Sequence, residues 1–126
     1  MTSSEVAGWG EAEAARFLRR SGWEILETNW HCRYGEIDLI ARQGDVLVFV
    51  EVKARRTRSF GLPEESITPS KRRRIIRSAH TYLDERQLQA AEWRVDVIAI
   101  EGRPGLPPKR LDHYRDALPD EPDDLP

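Results

Sequence analysis

The chain is 126 residues long, 39% hydrophobic and 33% charged, which suits one small globular domain and leaves no room for two. No apolar run approaches the roughly 20 residues of a membrane-spanning helix, Met1 to Glu5 lack the basic and apolar blocks of an export signal, and Cys32 is the only cysteine, so a cytoplasmic protein without a disulfide or a cysteine-built zinc site is expected. The formal net charge of −2 conceals a segregated distribution: nine bases face two acids between Lys53 and Arg77, and six acids face one base from Asp112 onward.

Residues from about Glu5 to Arg20 carry Ala12, Ala14, Ala15, Phe17 and Leu18 among charged residues, with Gly22 just beyond, the pattern of an amphipathic helix ended by a glycine. Trp23 to about Trp30 alternates loosely and predicts a strand. Gly35 to Arg42 and Val46 to Lys53, separated by Gln43-Gly44-Asp45, predict a hairpin with a short glycine turn. Ser59 to Ser66, with Gly61-Leu62-Pro63, reads as a loop. Thr68-Pro69 then supplies an N-cap and a first-turn proline for a helix reaching about Gln87, with Ile75, Ile76, Ala79, Tyr82 and Leu83 as its buried stripe. Trp93 to Ile100 predicts an interior strand, because it is apolar on both faces.

The order α-β-β-β-α-β predicts an α/β fold, a mixed sheet flanked by helices, over residues 1–102. Residues 103–126, rich in proline and acids, read as a loosely ordered tail with one short helix near Leu111 to Leu118.

If Gly44-Asp45 forms a two-residue turn, Gln43 faces Val46 and Asp38 falls directly opposite Glu51. Strand alternation then puts Glu36, Asp38, Ile40, Phe49, Glu51 and Lys53 on one face, and Ile37, Leu39, Ala41, Val48, Val50 and Val52 on a wholly apolar one. Acids and lysines on a hairpin most often form a solvated surface held by weak cross-strand pairs. Here Ile40 and Phe49 interrupt the charge. Two carboxylates facing each other repel unless a cation lies between them, and oxygen ligands with open positions select Mg²⁺ or Mn²⁺ over zinc. A lysine two residues from one ligand can stabilise an attacking hydroxide or the extra negative charge on phosphorus, so the set points to phosphodiester hydrolysis.

Gly10-Glu11, Ala14-Ala15, Phe17-Leu18, Gly22-Trp23, Asn29, Gly35-Glu36-Ile37-Asp38-Leu39-Ile40, Phe49-Val50-Glu51-Val52-Lys53, Arg55, Gly61, Lys71 and Asp96-Val97 together resemble the bacterial YraN-type proteins, a largely uncharacterised family. That family is similar in turn to the PD-(D/E)xK nuclease superfamily, with its restriction-endonuclease-like three-layer sandwich, and most of all to archaeal Holliday-junction resolvases. The resemblance covers about residues 8 to 100. It implies Asp38 as principal metal ligand, Glu51 as second ligand, the main-chain carbonyl of Val52 as another, Glu11 as an accessory acid completing the site, and Lys53 as the catalytic cation. Gly35-Glu36 stands where the superfamily carries its eponymous proline.

Arg55, Arg56 and Arg58, with Lys71 and Arg74 on one helix face, read as a phosphate track leading to the metal. Asp96, an acid inside an apolar strand, needs a partner, for which Arg94, Lys71 or a backbone N–H are candidates. His31, His80 and His113 are too scattered to suggest a cluster. The expected activity is a Mg²⁺- or Mn²⁺-dependent endonuclease acting on branched or damaged DNA rather than on a defined sequence, with a homodimer supplying two cuts. The alternative is a non-catalytic nucleic-acid-binding module that keeps the fold.

Overall fold

Residues 2–56 and 67–120 are described by a computed structural model, and they form two helices and five strands: α1 (Ser3–Arg20), β1 (Glu24–Cys32), β2 (Gly35–Gln43), β3 (Val46–Arg55), α2 (Pro69–Glu85), β4 (Trp93–Glu101) and β5 (Arg110–Tyr114). Helix α1 starts where the Thr2 side chain accepts the Glu5 N–H while the Glu5 carboxylate reaches back to the Thr2 N–H, a reciprocal capping box. It stops at Gly22, whose φ of +87° few other residues tolerate. Helix α2 starts as its sequence predicts: the Thr68 hydroxyl accepts the Lys71 N–H and Pro69 opens the first turn.

The strands lie side by side in chain order. β1, β2 and β3 meander antiparallel, β4 runs parallel to β3 after the crossover that contains α2, and β5 returns antiparallel along β4. One helix covers each face, which makes a three-layer α/β sandwich. On the α1 side, Ala14, Ala15 and Leu18 pack with Leu39, Val48, Val50 and Ile98; on the α2 side, Ile75, Ile76 and Tyr82 pack with Ile40, Phe49 and Val95. Leu18, Ile40, Ile76 and Phe49 are fully buried, each stabilising the fold by about 1.5–3 kcal/mol relative to exposure. Among the described residues no helix is long and apolar enough to cross a membrane.

The hairpin register is the expected one, with Gln43 opposite Val46 and Leu39 opposite Val50. Two expectations give way. The face carrying Ile40 and Phe49 is no charged surface but a second core beneath α2, with its acids and lysine confined to one end of the strands. Ile37, assigned by parity to the face of Leu39, packs instead with Ile40. Alternation slips at Asp38, the residue between them, because its side chain takes over an acceptor's role in the ladder, as described below.

A third correction concerns the C-terminal segment. Part of the stretch read as a short helix in a loose tail is strand β5, and Leu118 beyond it is buried in the α2-side core. Edge pairing with β4 supplies backbone partners that local composition does not reveal. The Ser59–Ser66 loop, Gly61 and Arg58 lie outside the described residues.

Candidate active site

The Asp38 end of β2 and the Glu51 to Lys53 segment of β3 meet where the ladder runs out. Its last cross-strand pair is Leu39 with Val50. One step further, the Val52 N–H donates to Asp38 Oδ2 at 2.8 Å, so a side-chain carboxylate holds the backbone where a carbonyl otherwise would. Glu51 follows from β3, 6% exposed, beside the Asp38 carboxylate. Lys53 Nζ lies 3.4 Å from Glu51 Oε1, and Lys71 Nζ, from the first turn of α2, lies 3.6 Å from the same oxygen.

Glu11 arrives from the opposite layer. A Cβ added at Gly10 would stand 2.5 Å from the Ala54 Cβ, so only glycine lets the α1 backbone settle onto β3 there. The next residue, Glu11, is thereby brought beside both Asp38 and Asn29. Asn29 sits in β1 with φ of +49°, a left-handed conformation that asparagine tolerates better than most residues.

Crowding sets the electrostatics. Burial, reinforced by the Asp38 charge, pushes the Glu51 carboxyl up to about 7 against the opposing pull of Lys53 and Lys71. Burial and the hydrogen bond and charge of Asp38 push Glu11 up to about 7 as well, with Asn29 opposing. Lys53 is held below the ordinary lysine range by its own burial and by Lys71, while Glu51 acts in the other direction.

The groups open onto two recesses. One, of about 620 Å³, is lined by Glu36, Asp38, Glu51, Lys53, Lys71 and Arg74; the other, of about 230 Å³ on the α1 side, by Glu11, Asp38, Lys53 and Arg55. Asp38, Val52 and Lys53 form the wall between them. Among the described residues no three acidic, histidine or cysteine side chains converge into a ready-made metal cage. Asp38 and Glu51 with the Val52 carbonyl nevertheless make an all-oxygen donor set that suits Mg²⁺ or Mn²⁺, which take one or two carboxylates from a protein and keep several waters.

Sequence reasoning named Glu11, Asp38, Glu51, Val52 and Lys53, and all five meet here. Lys71, expected in a phosphate track, lines the larger recess with its Nζ 3.6 Å from Glu51 Oε1. Arg74 stands at the rim of the larger recess and Arg55 at the smaller, whereas Arg56 is exposed beyond the end of β3. Asn29 was quoted without a role; an asparagine interrupting a strand pattern is the signal that marks it. Asp96, fully buried, is bound elsewhere: Arg94 Nε donates to it at 2.9 Å, the Asp116 N–H at 2.9 Å, and His113 Nε2 lies 2.8 Å away. Lys71 is not among its partners. The three histidines remain apart as expected, but His113 has a defined task in holding Asp96.

Residues 10–100 match the family model described as uncharacterised protein family UPF0102. A UPF0102 protein of Rhodococcus opacus (strain B4) is 49% identical over 109 residues, covering 86% of this chain and 92% of its own. Another, from Syntrophus aciditrophicus (strain SB), is 46% identical over 95 residues, 75% of each chain. A third, from Myxococcus xanthus (strain DK1622), is 40% identical over 99 residues, 79% of each.

Proposed function

The chain belongs to the uncharacterised protein family UPF0102, the family of its YraN-type resemblance, and on that premise we propose that it is a divalent-metal-dependent nuclease hydrolysing phosphodiester bonds of DNA. The observation that carries this reading is the meeting of Asp38, Glu51 and Lys53 at one ladder end, open to a recess rimmed by Lys71 and Arg74. Asp38, Glu51 and the Val52 carbonyl would hold Mg²⁺ or Mn²⁺, which when bound supplies an acidified water and a positive charge for the phosphate oxygens.

The chain's own residues do the rest. Lys53, a half-buried ammonium with a depressed pKa, orients the attacking water and counters the negative charge that grows on phosphorus. Glu11 stands beside Asp38 from the α1 side, with Asn29 of β1 next to Glu11. Lys71 keeps Glu51 from repelling the substrate's phosphates before it engages, and Arg55 and Arg74 bind the flanking phosphates from the two recesses. A domain of this size, with no base-reading module, favours branched or damaged structure over sequence as the basis of selection.

One observation favours a second reading, a nucleic-acid-binding module without turnover: two lysines already contact Glu51. Cleavage of linear duplex, single strand, flap and four-way junction with Mg²⁺ or Mn²⁺ separates the two. The nuclease reading expects metal-dependent cutting that Asp38→Ala and Lys53→Ala each abolish. Cutting that survives both changes, or none in the wild type, leaves the binding module.

A further inference from the structure

The arginines of this protein fall into two groups. Arg16, Arg42, Arg86, Arg94 and Arg110 each pair with a carboxylate. Others have no acid partner among the described residues, although the chain has more acids than bases, and Arg33, Arg74 and Arg77 are three of these. These three lie together. Lys71, Arg74 and Arg77 recur every third residue along α2 and so share one face, which begins at the rim of the larger recess.

The turn between β1 and β2 is pressed against that face. A Cβ at Gly35 would touch the Arg74 Cβ at 4.0 Å and the Ser78 Oγ at 3.9 Å, and Cys32 Sγ lies 3.4 Å from the Ser78 hydroxyl. Tyr34, at the tip, is thereby set between two guanidinium groups: Arg33 lies 4.8 Å and Arg77 5.9 Å from its ring centre, and Arg33 donates to the Tyr34 hydroxyl at 2.6 Å. Arg77 Nε is buried without a hydrogen-bond acceptor among the described residues. Arg33 is exposed.

An aromatic ring stacked with an outward guanidinium, beside a row of cations of which Arg74 and Arg77 have no acid partner among the described residues, has a specific chemical complement. Phosphates spaced along a chain satisfy the cations, and a flat base with a free π-face extends the stack. Within a duplex, base faces are covered by their neighbours, whereas in a single strand they are open. We propose that the β1–β2 turn and the Lys71–Arg74–Arg77 face of α2 form a track for single-stranded DNA adjoining the scissile phosphate, with an unstacked base resting on the Arg33–Tyr34 stack. This rests on the nucleic-acid reading of the recess and narrows it to substrates with an unpaired arm.

Fluorescence anisotropy with a labelled single strand and with its blunt duplex, in EDTA, reads binding without cleavage. Tyr34→Ala is expected to weaken single-strand binding about tenfold, with duplex affinity unchanged, and Tyr34→Trp to retain it. Arg33→Ala, on an exposed side chain outside the core, should act in the same direction. Arg77→Gln should lower the salt dependence on the single strand by about 0.7 in logarithmic slope. Equal losses on both probes, or no loss in either Tyr34→Ala or Arg33→Ala, would overturn the track. Single-strand binding that depends on Tyr34, in a wild type that cuts nothing with Mg²⁺, would support the track and remove only the nuclease reading. Cutting that ignores Tyr34 and Arg33 on every substrate with an unpaired arm would do the reverse.

Discussion

Two buried acids on adjacent strands of one sheet are treated in opposite ways. Asp96 is saturated. Burial alone would raise its pKa, but the bonds from His113, Arg94 and the Asp116 N–H outweigh that and hold it below the ordinary carboxylate range. Glu51 is crowded by Asp38, and even two lysines leave its carboxyl up near 7. A saturated acid fastens structure, here β5 and the segment after it onto β4. An acid kept short of compensation costs stability in the free protein, and such shifts cluster where a ligand or a reaction supplies what is missing.

The contrast breaks most sharply at Asp96. Asp96→Ala leaves the half-buried Arg94 and His113 without their acceptor, and urea denaturation should show a loss of about 3–5 kcal/mol. Lys53→Ala should do the opposite kind of damage: cleavage falls by about 10²-fold or more while the denaturation midpoint barely moves. Gly10→Ala should affect both properties, because a Cβ against Ala54 forces α1 outward and carries Glu11 with it; a stability loss of about 1–3 kcal/mol accompanied by slower cutting is expected.

The pH dependence of stability sharpens the comparison further. Asp96 has a lowered folded pKa, so its contribution is present above the unfolded value of 3.8 and is lost as the pH falls through the folded one. Glu51 and Glu11 have raised folded pKa values, so the folded chain holds protons that the unfolded chain releases, and stability declines as pH rises from 4.5 to about 7. Thermal melts across that range should show the decline, and Glu51→Gln should flatten it. The smallest effect belongs to the rim: Arg55→Ala should reduce the logarithmic salt slope of duplex binding by about 0.9, the share of one phosphate contact.

Much of this was legible along the chain. A period of two on both sides of Gly44-Asp45 specified the hairpin register, and with it the proximity of Asp38, Glu51 and Lys53. Thr68-Pro69 marked the start of α2 to the residue. Other features were hidden for identifiable reasons. Strand β5 lies among prolines and acids that disfavour strands, and pairing with β4, helped by the His113–Asp96 contact, overrides that preference. The displacement of Ile37 follows from a side chain substituting for a backbone acceptor, which no alternation rule anticipates.

Local order, strand register and the identity of the charged residues are properties of neighbours in the chain, and the sequence by itself determined them. Which charges meet is a property of layers. Glu11 comes from one helix and Lys71 from the other, and only the close approach of α1 at Gly10 and the crossover through α2 bring them to the same hairpin. Distances across the sandwich are set by packing the two cores, so the pairing of Lys71 with Glu51, the placement of Glu11 beside Asp38 and Asn29, and the saturation of Asp96 were decided by the tertiary structure alone.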